Sequence, residues 1–165
     1  MTGVHHCLPR VVRDDTRLLL VGSLPGARSL AAARYYAHPR NQFWRLVGAV
    51  IGVDLASLAY EQRLEALLDR RVGLWDTVAS AERSGSLDAA IRLHEATDLA
   101  GLATSLPALR AIGFNGGTAA KIGRRQIGDT PLALVDLPSS SPAFTLPFTD
   151  KLARWMVLRD QLCAR

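Results

Sequence analysis

Four short, mainly apolar runs, the first of them continuous, separated by segments of helical periodicity, constrain this chain more than any other feature. They are Arg17 to Val21 followed by Gly22, Val72 to Asp76, Ala108 to Phe114, and Leu132 to Leu137. A run that is apolar at every position, rather than at alternate ones, reads as a strand buried on both faces, as in a parallel sheet. Helical spacing fills the intervals. Ala27 to Arg34 reads as a short helix, and Gln42 to Ile51 as an amphipathic one with Phe43, Leu46, Val47 and Val50 on its apolar face. Leu55 to Arg70 presents Leu58, Leu64, Leu67 and Leu68, and Thr118 to Arg125 is a further helix. Thr149 to Cys163 closes the chain with Leu152, Trp155, Met156 and Leu162. Leu87 to Ile91 and Asp98 to Ser105 read as short helical pieces, and Ser80 to Gly85 as a polar loop.

Strands alternating with helices imply an α/β fold: a three-layer α/β/α sandwich around a central four-stranded parallel sheet, with right-handed crossovers. At 165 residues the chain is expected to form one domain, residues 1–165, with 1–12 a loose tail. No internal repeat or linker interrupts it.

In such folds ligands sit at the carboxyl ends of the strands. Three of the four strand ends carry small-residue loops. Gly22-Ser23-Leu24-Pro25-Gly26 follows the first strand. Small residues there allow close approach of a ligand, or simply a tight turn into the next helix. It is neither a P-loop, lacking Gly-Lys-Ser/Thr, nor a dinucleotide fingerprint, lacking GxGxxG. Asn115-Gly116-Gly117-Thr118 follows the third strand and reads as a strand-to-helix turn, with an anion-binding nest as the rarer alternative. Pro138-Ser139-Ser140-Ser141-Pro142 follows the fourth.

The charge balance of 20 Lys+Arg against 15 Asp+Glu gives +5. A basic domain suits a polyanionic partner. Only two of the basic residues are Lys, however, and an Arg- and Ala-rich bias can equally come from genome composition. The two cysteines, Cys7 and Cys163, are too few for a structural zinc or an iron–sulfur cluster, and reduced thiols are expected. No metal and no cofactor is called for. The absence of an apolar stretch of about 18 residues argues against a transmembrane helix, and the N-terminus lacks an apolar signal core. A cytoplasmic monomer with no membrane partner is expected.

The second segment of interest is Tyr35-Tyr36-Ala37-His38-Pro39-Arg40-Asn41-Gln42-Phe43-Trp44. Taken with the 22–26 loop before it, Phe114-Asn115-Gly116 and Leu137-Pro138-Ser139-Ser140-Ser141-Pro142-Ala143, it resembles the uracil-DNA glycosylase superfamily, and most closely its hypoxanthine-DNA (deoxyinosine) glycosylase family. The resemblance spans roughly Leu18 to Trp155. It implies a glycosylase-like sandwich that extrudes a deaminated base from DNA into a pocket and hydrolyses its N-glycosidic bond, leaving an abasic site. It places Asn41 as the catalytic residue, orienting water over C1′. The residues assigned to the base are Gly22, Ser23, Leu24, Tyr36 and Phe43, with Tyr36 stacking on it. Pro25, Gly26, His38, Ser139, Ser140, Ser141, Pro142 and Phe144 are assigned to DNA, with Phe144 as the wedge filling the vacated stack.

Alternatives remain at several of these positions. Asn41 also reads as a helix N-cap, His38 as a loop histidine without a role, and Phe144 as ordinary packing. Two departures matter. Leu24 stands where many superfamily members carry a water-placing Asp or Asn, and Leu137 where the uracil enzymes place a His or Asn that stabilises the anionic base. They favour hypoxanthine over uracil, and keep open both a broader uracil or xanthine glycosylase and a non-catalytic nucleic-acid-binding module. No Lys lies in the motif loops to form a Schiff base, which points to hydrolysis without lyase chemistry.

Overall fold

The computed structural model describes residues 2–84 and 91–163. Its centre is a four-stranded, all-parallel sheet in the order β3-β2-β6-β7, formed by β2 (Leu18–Gly22), β3 (Val72–Asp76), β6 (Ala111–Asn115) and β7 (Ala133–Leu137). Leu18, Leu19, Leu20 and Val21 are all at most 1% exposed, as a strand covered on both faces requires. Each such side chain contributes about 1.5–3 kcal/mol of burial.

One face of the sheet is covered by α2 (Phe43–Ile51), α3 (Tyr60–Asp69), α6 (Phe148–Trp155) and α7 (Leu158–Cys163), which share a core with Leu18, Leu20, Val72 and Leu74. The other is covered by α4 (Leu99–Ser105) and α5 (Gly117–Ile127), packed on Leu19, Val21, Ile112 and Phe114. The alternate residues of β2 thus feed opposite layers, and the expected α/β/α sandwich is the observed one. A short α1 (Ala27–Ala32) follows the first strand-end loop.

Two expectations change, and a third falls largely outside the described residues. Residues 2–12 are not a loose tail. Thr2–His6 form β1, antiparallel to β4 (Val78–Ser84), and β4 pairs in turn with β5 (Ile91–Ala96) in a second, three-stranded sheet. Beyond β1, the Cys7 amide donates to Ala79 O, and Val11 exchanges two hydrogen bonds with Leu74. Leu8 is only 7% exposed. Ser80 to Ser84 is not a polar loop, because strand β4 runs through Ser84 and takes its backbone partners from both neighbours; Gly85 lies outside the described residues. The helix expected at Leu87 to Ile91 lies outside the described residues except for Ile91, which begins β5.

The two longest helices expected are each broken. Leu55 to Arg70 divides into a 3-10 turn (Leu55–Ser57) and α3, because Ala59 is extended (ψ 153°) and its amide turns to Gln62 Oε1. Thr149 to Cys163 divides after Trp155.

Candidate active site

Every strand of the parallel sheet ends toward the same side, and the loops leaving those ends enclose a cavity of about 480 Å³. That volume suits a small organic group. Gly22, Asp76 and Asn115, the last residues of β2, β3 and β6, all line it. Ser23, Leu24, Pro25, Gly26, Tyr36, His38, Asn41, Ser139, Ser140, Ser141, Pro142 and Phe144 line it as well. Residues scattered over more than a hundred positions thus converge on one cleft.

Tyr36 adopts a left-handed backbone (φ 53°), a conformation that costs a side-chain-bearing residue free energy and persists only where surroundings enforce it. The enforcement is visible. Its ring stacks on Phe43 at 3.8 Å between centroids and 13° between planes, and its carbonyl accepts from Trp44 Nε1. Phe43 itself is fully buried and is absent from the cavity wall. Its expected contact with the base is therefore corrected: it backs the ring of Tyr36 and does not reach the cavity.

Asn41 lies at the cavity edge just before α2, and its Oδ1 accepts from the Phe43 amide at 3.0 Å. The N-cap residue proper is Gln42. The Asn41 side chain therefore serves the helix start and the cavity together: an amide oxygen has two lone pairs, so one remains for a water. His38 borders the same space, and its Nδ1 accepts from the Arg40 amide, which puts the neutral ring's proton on Nε2.

The 138–142 loop is fixed by hydrogen bonds from four directions. Trp155 Nε1 donates to Pro138 O, and the Gln42 amide to Ser140 O. Asn115 and Ser140 exchange two bonds, Nδ2 to Oγ and Ser140 N to Asn115 Oδ1, each 2.9 Å. Lys151, 1% exposed, donates from Nζ to Ser141 O and lies 5.4 Å from the Phe144 ring centroid. Burial pushes the Lys151 ammonium below its ordinary value. Gly116 (φ 98°) turns the chain beside Ser139, where no room remains for a larger residue without a shift.

Ser140 is 1% exposed and its Oγ accepts from Asn115 Nδ2, so burial turns this side chain into the loop and away from its expected contact with DNA. Ser139 Oγ and Ser141 Oγ instead accept from the amides two residues on, which leaves their hydroxyl hydrogens to donate. Phe144 is 45% exposed at the rim.

Two residues of this site were missed by sequence reasoning. Asp76 ends a strand that reads as plain core, yet it is 3% exposed, in register with Gly22, and lines the cavity. A Cβ at position 22 would stand 3.0 Å from Asp76 Oδ1 and 3.3 Å from the Tyr36 hydroxyl, so glycine is what lets both reach the cavity floor. The carboxylate's field is felt nearby: burial first, then Asp76, raises the Cys7 thiol and the Tyr35 phenol. Asn115, taken as part of a simple turn, holds the serine loop. Asp76 has no local signature, and the Phe114-Asn115-Gly116 string does not show what the Asn115 amide holds; the parallel register brings both to the loops.

A sheet whose strand ends carry this set of loops defines a nucleobase-processing fold, and the chain belongs to the uracil DNA glycosylase superfamily, whose family model matches residues 9–159. Among individual relatives, the chain is 44% identical over 108 residues to a hypoxanthine DNA glycosylase of Methanosarcina acetivorans, covering 66% of this chain and 68% of that protein. A hypoxanthine DNA glycosylase of Methanosarcina barkeri is 43% identical over the same shares. A solution NMR structure from M. acetivorans, whose assignment as a uracil DNA glycosylase is provisional, superimposes with a TM-score of 0.85 at 36% identity, covering 97% of this chain and 99% of that one. Among the described residues no helix is long and apolar enough to cross a membrane.

Proposed function

We propose that this chain is a monofunctional DNA glycosylase that removes a deaminated base, hypoxanthine above all, from duplex DNA. The observation that carries the reading is that Asn41, its amide oxygen anchored by the Phe43 amide, borders the same cavity as the ring of Tyr36. Tyr36 stacks on the extruded base from the side opposite Phe43. Asn41 accepts a hydrogen bond from a water and aims its oxygen at C1′. The new bond is O–C1′, the bond broken is N–C1′, the base departs with the electron pair, and the proton that the attacking water gives up to solvent is balanced by the one the base takes up. Asn41 orients rather than deprotonates, since a neutral amide is too weak a base to do more.

Asp76 supports a deaminated substrate. Deamination of adenine replaces the N1 acceptor with an N1–H donor. A buried carboxylate accepts from that donor and faces the lone pair of adenine unfavourably. A site built to meet a ring N–H rejects the analogue lacking it, because the site's own polar group is left unmatched. The same carboxylate would accept uracil N3–H, and this favours a second reading, a broader glycosylase that also takes uracil. Leu24 and Leu137 leave the cavity without the polar groups that the uracil enzymes use, and hypoxanthine is therefore preferred. Ser139, Ser141, Pro142 and His38 face the DNA backbone, and Phe144 enters the vacated stack. The chain acts as a monomer: among the described residues only Phe144 and Val157 are large, apolar and well exposed.

The test is excision from labelled duplexes carrying one deoxyinosine, deoxyuridine or deoxyxanthosine, followed by alkali. Cleavage mainly at inosine is expected. Cleavage mainly at uracil would move the assignment to the second reading, and binding without cleavage would end the enzymatic one. Asn41→Ala is expected to lower the single-turnover rate at inosine by about 100-fold or more, the usual range for lost positioning and proton-handling groups. Unchanged excision by that variant would remove Asn41 from the mechanism.

A further inference from the structure

A second cleft, of about 600 Å³, lies behind the wall formed by residues 35–41. Tyr35, Tyr36, His38 and Asn41 line it and the first cavity alike, so the two spaces are neighbours across one strip of backbone. Its lining holds three arginines, Arg34, Arg45 and Arg63, and no carboxylate. All three are held over aromatic rings, Arg34 at 5.3 Å from the Tyr60 centroid and Arg63 at 5.3 Å from that of Trp44. Arg63 is further tied by Nε to Leu58 O and by Nη2 to Ala56 O. Arg45 lies 4.0 Å over the ring of Phe148. Rings and carbonyls therefore set these cations in place before any ligand arrives, which reduces the entropy lost on binding. An acidic neighbour, Glu61, stands 3.8 Å from Arg34 with both side chains more than half exposed, a screened pair that a phosphate can displace.

We propose that this cleft is a flanking-nucleotide subsite: it takes the phosphate next to the extruded nucleotide on the same DNA strand, with Arg34 and Arg45 supplying the charge. Guanidinium groups match phosphate oxygens in geometry as well as sign. The shared wall fixes the order of occupancy, lesion base on one side and neighbouring phosphate on the other. The subsite rests on the glycosylase reading for its substrate. It adds a contact made by the outer surface of the 35–41 segment and the start of α2, away from the serine loop.

The test uses the full chain and a duplex carrying a non-cleavable tetrahydrofuran abasic-site analogue, so that binding is read without excision. Fluorescence anisotropy over a salt series compares the wild type, the double variant Arg34→Gln/Arg45→Gln, and Arg125→Gln, an exposed residue of α5 on the opposite layer. Arg34 and Arg45 are both exposed, and folding is not at stake. Each phosphate contact contributes about 0.9 to the slope of log K against log salt, so the double variant, which loses the contact to one phosphate, is expected to lose roughly 1 from that slope and bind about tenfold more weakly. Arg125→Gln is expected to match the wild type. Next, the phosphates flanking the analogue are replaced singly by neutral methylphosphonate. One replacement is expected to weaken the wild type and leave the double variant unaffected. Equal slopes for all three proteins, or methylphosphonate penalties that persist undiminished in the double variant, would overturn the subsite. Inosine excision by the wild type, measured in parallel, reports on the glycosylase reading alone, so failure of one is not mistaken for failure of the other.

Discussion

Tyr36 combines a left-handed backbone with a ring clamped on Phe43, an arrangement that holds one aromatic face ready at the cavity. Tyr36→Ala is expected to lower kcat/KM for inosine by about 10–100-fold, the equivalent of about 1–3 kcal/mol of stacking, while Tyr36→Phe keeps most activity. Steady-state kinetics on an inosine duplex decide this. Equal loss in both variants would assign the effect to the hydroxyl instead. Asp76→Asn replaces a pure acceptor with a group that also donates. The expected result is slower excision at inosine together with tighter binding of duplexes that present adenine at the target position, read by competition. Selectivity unchanged by this substitution would take Asp76 out of base recognition.

The serine loop is the element whose geometry rests most on buried pairing. Removing one member of the Asn115–Ser140 pair leaves the other's polar atoms buried without a partner, a loss of about 1–3 kcal/mol. For a chain of this length, each kcal/mol is worth about 2–4 °C of melting temperature. Asn115→Ala and Ser140→Ala are each expected to show that drop, and the double variant less than the sum, because the two side chains serve one interaction. Strict additivity would mean that they do not. This element also shows where sequence reading reached its limit. The 22–26, 35–44 and 137–143 strings each gather their small, aromatic and polar residues within a few neighbouring positions, so they were legible, and so were the four parallel strands, of which β2 shows the continuous apolar run that encodes burial on both faces. Asp76 and Asn115 were not, since a polar residue closing a strand is locally unremarkable and gains meaning only from which strand lies beside it. Phe43 was misassigned for a related reason: helical spacing says that a residue is apolar-faced but not whether the cavity or the core lies beyond it. The β1–β4 pairing escaped because it joins segments far apart in the chain.

At the scale of the whole molecule, stability should depend on pH on the alkaline side. Burial, reinforced by Asp76, raises the Cys7 thiol and the Tyr35 phenol above their ordinary values of 9.0 and 10.0, and burial likewise raises Tyr60. A group whose folded value is raised keeps its proton in the native state after the unfolded chain has lost it. Its contribution is complete below the ordinary value and is lost as pH climbs past it. Lys151, lowered by burial, works in the opposite sense and gains stability as pH rises toward 10.5. Three groups outweigh one, and the melting temperature is expected to fall from about pH 9 upward. Tyr35 donates to Leu8 O and Pro9 O, so Tyr35→Phe should start less stable by about 1 kcal/mol at neutral pH but decline less steeply above it. A parallel decline in both proteins, followed by differential scanning fluorimetry, would assign the alkaline loss elsewhere.

The many ties on residues 138–142, from Trp155, Gln42, Asn115 and Lys151, have a mechanical corollary. A jaw braced this firmly does not yield when a helix of nucleic acid is pressed against it. Whatever bending the encounter demands must come from the duplex, and its cost then varies with the base steps on either side of the lesion. Lesions beside pliant pyrimidine–purine steps should be cleared faster than identical ones within stiff A-tracts, a context effect originating in the substrate's elasticity rather than in any base that the protein reads.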